Sequence, residues 1–63
     1  MLRNWRAEKA REQGVPAYVI LHDRTLRELA ALRPNSPEAL LEVPGIGVAK
    51  AQRYGEALLE LLA

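Results

Sequence analysis

Leu40-Leu41-Glu42-Val43-Pro44-Gly45-Ile46-Gly47-Val48-Ala49-Lys50 reads as the end of one short helix, a tight turn and the start of a second helix. Pro44 disfavours helix at Val43 and so helps to end the first. Gly45 and Gly47 are free to adopt positive φ, which a side chain resists. Ile46, between them, can turn back into a core, and Val48, Ala49 and Lys50 open an apolar-striped helix. The first turn of a helix carries unpaired N–H groups and a partial positive charge. Glycine beside it lets another molecule approach those groups closely, which is the physics of phosphate binding. Lys50 adds a full charge about one turn into that helix.

A bare G-x-G is weak evidence, because many glycine turns only join two helices. The longer pattern is more specific: two leucines, a spacer, Pro44-Gly45-Ile46-Gly47, then Ala49 and Lys50. It resembles a helix-hairpin-helix, a motif associated with sequence-independent contacts to nucleic-acid backbones.

Helical patterns flank this stretch on both sides. Leu2 to Gln13 is rich in helix formers without Pro or Gly, and Gly14 suits its end. Leu2 and Trp5 share a face with Ala10 near it, so Trp5 is expected as a core anchor, with the charged positions Arg3, Arg6, Glu8, Lys9, Arg11 and Glu12 outside. Val15 to Leu21 is apolar and β-branched, yet no second strand candidate exists to pair with it, so an irregular or 3₁₀ turn is expected. Tyr18, just after Pro16, is either a half-buried core residue or an exposed stacking platform. Asp23 is a candidate N-cap for a helix burying Leu26, Leu29, Ala30 and Leu32, with Thr25-x-x-Glu28 a rival capping box. Pro34 ends that helix.

Ser36 as N-cap, Pro37 at the first helical position and Glu38 in the first turn start a short helix that buries Leu40, Leu41 and Val43. The last helix spans about Val48 to Leu62, with Val48, Ala51, Gly55, Leu58, Leu59 and Leu62 at three–four spacing. Gly55 costs roughly 1 kcal/mol against Ala in a helix interior. Close approach of another group, Trp5 being the expected one, would offset that cost. Tyr54 either stacks or plugs the core edge.

The chain's 63 residues make one small domain, residues 1–63, and 49% of them are hydrophobic, the dense apolar supply such a domain needs. With no Cys and a single His, neither a disulfide nor a Cys-based metal site is available, and no metal or cofactor is expected. No apolar run approaches the roughly 20 residues that cross a bilayer, and nothing resembles a signal peptide. Net charge is +1, short of a strongly basic nucleic-acid binder. Residues 1–33 hold seven Arg/Lys against four Asp/Glu, net +3, while residues 34–63 hold two against four, net −2. No nucleophile–base pair or carboxylate pair is organised around His22 or elsewhere, which argues against an enzyme.

The whole chain resembles an HRDC domain, the helicase-and-RNase-D C-terminal module of RecQ-type helicases and RNase D exonucleases. The matching residues are Leu2-x-x-Trp5-Arg6, Gly14-Val15-Pro16-Ala17-Tyr18-Val19-Ile20, Asp23-x-Thr25-Leu26-x-Glu28-Leu29-Ala30, Pro34, Leu40-Leu41, Gly45-Ile46-Gly47-x-x-Lys50 and Tyr54-Gly55. They run in family order over essentially the full length, and the bacterial RecQ type is the nearer. The resemblance implies an all-α, compact bundle of about five short helices, monomeric and without catalysis. It also implies an auxiliary role in binding single-stranded or branched DNA within a bacterial, cytoplasmic, nucleoid-associated helicase. On that reading Tyr18, Gly45, Ile46, Gly47, Lys50 and Arg53 form the nucleic-acid-binding patch. Two features depart from the pattern: Pro44 belongs more to plain helix-hairpin-helix proteins, and Glu42, Glu56 and Glu60 are acidic near the turn. The second reading is therefore a protein-interaction or intramolecular regulatory module, its acidic half docked on another domain of the same chain. The rival DNA site is Arg24 with Arg27.

Overall fold

The computed structural model describes residues 1–63 as five helices and no strand: α1 (Leu2–Gln13), α2 (Ala17–Ile20), α3 (Asp23–Leu32), α4 (Pro37–Leu41) and α5 (Val48–Leu62). α1 ends where the sequence says it should. Gly14 is left-handed at φ 65°, and the N–H groups of Gly14 and Val15 return to the carbonyls of Arg11 and Ala10. These two bonds satisfy carbonyls that a helix end otherwise leaves orphaned. Ser36 caps α4, its hydroxyl accepting from the Ala39 N–H at 3.1 Å, with Pro37 behind it. Arg33 ends α3 in the left-handed region at φ 43°, and its guanidinium donates to the Leu62 carbonyl at 3.0 Å, tying the end of α3 to the end of α5.

The core draws on every element. Ile20, Leu21, Leu29, Leu40, Val43 and Leu58 are almost wholly inaccessible, with Leu26, Ile46, Tyr54 and Leu62 around them. Within Val15 to Leu21, Ala17–Ile20 form one α-helical turn where the sequence suggests an irregular or 3₁₀ segment. Pro16 starts that turn, and Ile20 and Leu21 anchor it in the core.

Several apolar residues lie elsewhere than their spacing implies. Trp5 packs against the core as expected but stays half-buried at its edge, edge-to-face on Tyr54 with ring centroids 5.3 Å apart. Tyr54 is the ring that plugs the core, and Gln13 donates to its hydroxyl at 2.6 Å. Trp5 is also not what covers Gly55: a Cβ there would meet a Leu40 methyl at 3.2 Å, so Gly55 is the notch that lets α4 close on α5. The buried face of α3 is centred on Thr25, Leu26 and Leu29, which leaves both Ala30 and Leu32, expected inside, exposed. Leu41, roughly 100° of helix rotation from the buried Leu40, faces solvent, as does Val48 at the tip of α5.

Arg6 is the largest departure. It is only 8% exposed, and its Nη1 donates to the Leu21 carbonyl at 2.8 Å while pairing with the Asp23 carboxylate, also at 2.8 Å. Leu2, Arg6 and Ala10 are four apart in turn, so Arg6 stands in the middle of the inward face of α1. Its guanidinium ties α1 to the junction between α2 and α3. Asp23 is thereby engaged with Arg6 and makes no capping bond, and His22 is the N-cap residue. Hydrogen bonding from Arg6, and then its positive charge, hold the Asp23 carboxyl below its ordinary value.

Candidate nucleic-acid interface

The glycine turn joins α4 to α5, and its two glycines do different work. Gly45 takes φ 93°. A Cβ on it would overlap the Thr25 hydroxyl and lie 3.2 Å from the Thr25 Cβ. The same hydroxyl donates to the Pro44 carbonyl at 3.0 Å. The close approach that Gly45 allows is therefore made by α3 of the same chain, and Thr25 is a buried clamp, not the start of a capping box. Gly47 has no left-handed geometry: at φ −95° and ψ −177° it is extended, and a Cβ there would meet nothing within 4 Å. It is the N-cap of α5, no side chain caps that end, and the site faces open space.

Ile46 turns into the core, 4% exposed, and its N–H is bonded to the Val43 carbonyl at 3.1 Å. Its part in any surface contact is to hold the turn in place. The first N–H groups of α5, at Val48 and Ala49, have no partner within the helix, and the Ala51 N–H returns to the Gly47 carbonyl.

Lys50 connects this end of α5 to α2. Its Nζ donates to the Ile20 carbonyl at 2.7 Å and to the Val19 carbonyl at 3.1 Å. An ammonium has three donors, so one remains. The two bonds satisfy carbonyls at the end of the one-turn helix α2 and place a cation at its negative pole. They also tie α2, which carries Tyr18, to the first turn of α5 through the Lys50 side chain. Tyr18 is 61% exposed, which excludes the half-buried core position among the two alternatives its sequence leaves. Its ring lies 6.1 Å from that of His22 with 29° between planes, and Val19 beside it is exposed as well. Arg53, one turn along α5 from Lys50, is exposed, its guanidinium carbon 5.4 Å from the centroid of the Tyr54 ring.

The anchoring bonds from Lys50 to α2, the Arg6–Leu21 bond and the Thr25 clamp escape a reading of the sequence, since each joins residues distant along the chain. Only Arg6 leaves a signal, the four-residue spacing from Leu2 and to Ala10. The rival pair behaves otherwise: Arg24 and Arg27 are both exposed on α3, and Arg27 borders a separate groove.

Against known proteins, the sequence model of the HRDC domain matches residues 1–62. The ATP-dependent DNA helicase UvrD2 of Mycobacterium tuberculosis is 46% identical over 61 residues, 97% of this chain and 9% of that protein. The ATP-dependent DNA helicase RecQ of Bacillus subtilis is 41% identical over 59 residues, 94% of this chain and 10% of that protein. Among solved structures, HRDC domain 3 of D. radiodurans RecQ superposes with a TM-score of 0.91 at 39% identity, covering 97% of this chain and 80% of that one. The chain thus spans about a tenth of the length of the curated helicases it matches.

Proposed function

Because the chain belongs to the HRDC domain family, a non-catalytic module of ATP-dependent DNA helicases, we propose that it contacts single-stranded or branched DNA and tunes how a parent helicase holds its substrate. The observation that supports this reading is the Lys50 anchor, which ties α2, the helix that carries the exposed Tyr18, to the start of α5, whose N-terminus no side chain caps. An aromatic face together with cations and free amides is the usual recipe for single strands. Tyr18 stacks a base. The Gly47 end of α5 and the remaining Lys50 donor take phosphate, with Arg53 further along the strand. Gly45 and Ile46 support the turn from behind. The helix–turn–helix unit of α4 and α5 then acts as a helix-hairpin-helix does, on the backbone and without base readout.

Two cations and one helix end give about two to four phosphate contacts. The log–log salt slope for single strands is then roughly −1.5 to −3, at about −0.7 per contact. Titrating this 63-residue domain with single-stranded and forked DNA at two salt concentrations tests it. A slope near −6 contradicts the small patch. No binding of either DNA at millimolar concentration instead favours a regulatory module. That second reading draws on the net charge of only +1 and the net −2 of residues 34–63, whose exposed Glu42, Glu56 and Glu60 would meet a basic surface on the parent chain.

A further inference from the structure

A second surface lies apart from the Tyr18 patch, where α1, α3 and the end of α5 meet. It is an open groove of about 380 Å³. Its floor is aliphatic: Leu2, Leu26, Ala30 and Leu62 line it, and no aromatic ring does. Its rim carries three arginines from three places in the chain, Arg3 on α1, Arg27 on α3 and Arg33 after it. Arg33 spends one bond on the Leu62 carbonyl. Arg3 and Arg27 enter no ion pair, the two in the chain being Arg6–Asp23 and Lys9–Glu12. The one acid at the groove, Asp23, is already taken by Arg6. Asp23 also feels the charge of Arg3 and Arg27, which leaves three arginines against one carboxylate at the groove. An aliphatic floor inside such a net cationic rim is complementary to an apolar side chain flanked by carboxylates.

We propose that this groove docks an acidic peptide segment, one or two aliphatic side chains of which enter over Leu26 and Leu62 while neighbouring carboxylates meet Arg3 and Arg27. Arginine suits this because its fork pairs with a carboxylate through two parallel bonds. Nucleic acid is the poorer occupant, since the floor offers no ring on which a base would stack. The charge pattern also differs from the regulatory reading above, in which the acidic half of this chain seeks a basic partner. Here the basic half seeks an acidic one, so both contacts are compatible in one assembly.

The test uses the peptide Glu-Glu-Leu-Leu-Glu-Glu, the same peptide with every Glu replaced by Lys, and a ten-nucleotide oligothymidylate, each titrated into the ¹⁵N-labelled chain. The acidic peptide is expected to shift the amides of Leu2, Leu26, Ala30 and Leu62, the lysine peptide to shift none of them, and the oligothymidylate to leave them in place. Arg3→Glu with Arg27→Glu is expected to weaken the acidic peptide roughly tenfold or more, each surface pair being modest alone. Arg3→Gln with Arg27→Gln, which preserves the side-chain bulk more closely, is expected to weaken it by a smaller factor. Equal affinity of the two peptides, unchanged affinity in both double variants, or no shift with millimolar acidic peptide overturns the proposal. Oligothymidylate shifts centred on the groove would overturn it too and make this the nucleic-acid surface.

Discussion

The glycine turn has two sides that resemble each other in sequence and differ in what holds them. Towards α3, Gly45 is pressed on Thr25, the Thr25 hydroxyl holds the Pro44 carbonyl and Ile46 is sunk in the core. Towards α2, Gly47 faces open space, α5 begins without a side-chain cap, and Lys50 reaches across to a helix whose tyrosine is exposed. Gly45 is required by the fold, whereas no neighbour within the chain requires glycine at Gly47, where the proposed function places the phosphate. A G-x-G motif can therefore be structural at its first glycine and free of that constraint at its second.

The largest expected effect is on the α3 side. Gly45→Ala must place a side chain at positive φ and into Thr25, costing about 2–5 kcal/mol from backbone strain and overpacking together. Thermal melting checks it; a shift of only a degree or two would show that the two sides are not distinct. Next comes Tyr18→Ala, expected to weaken single-strand binding by about 1–3 kcal/mol with stability unchanged to within about 0.5 kcal/mol and the salt slope unaltered. Titration and melting of the same variant separate the two.

Lys50→Met draws on both roles, because the ammonium anchors α2 and carries charge. It is expected to cost about 1–2 kcal/mol of stability, a charged hydrogen bond discounted for partial exposure, and to make the salt slope shallower by roughly 0.7. Loss of binding with no change in melting would break the anchoring part of the account. Gly47→Ser is the finest probe. Serine is comfortable in the extended conformation there and can cap α5, so stability should rise by a few tenths of a kcal/mol. The same hydroxyl competes with phosphate for the α5 amides, so DNA binding should fall. Stability and affinity rising together would remove the helix end from the interface.

A last, smaller effect lies at the other fastening of α2. Arg6 holds the Asp23 carboxyl below its ordinary value, so this pair contributes stability at pH above about 4, where an unfolded aspartate is ionised. That contribution is lost as pH falls through the lower folded value. Melting temperature measured from pH 6 to pH 2 should show this acid component in the parent chain and lack it in Asp23→Asn.

Four of the five helices, their order and most of their ends were legible because they depend on local chemistry: Gly14, Pro34, Ser36-Pro37 and the apolar spacing each act within a few residues. The short α2 was not, its apolar run reading as an irregular or 3₁₀ turn. The family was legible because its motifs are local and in order. What escaped depends on contacts between distant segments. Arg6 looks like any solvated charge until α1 is laid against Leu21, and nothing near Trp5 in sequence says that it stays half-buried on Tyr54 at the core's edge. Of the candidate site, residue types and the helix end were readable. The division of labour between Gly45 and Gly47 was not, since nothing near them in sequence names Thr25 as a neighbour.

Chemical-shift mapping of the ¹⁵N-labelled domain with a short single strand tests the central claim most directly. The account predicts shifts clustered on Tyr18, Gly47, Val48 to Lys50 and Arg53, with Gly45 and Ile46 moving less because α3 and the core hold them. Shifts confined to Arg24 and Arg27, or none with millimolar DNA, would contradict it.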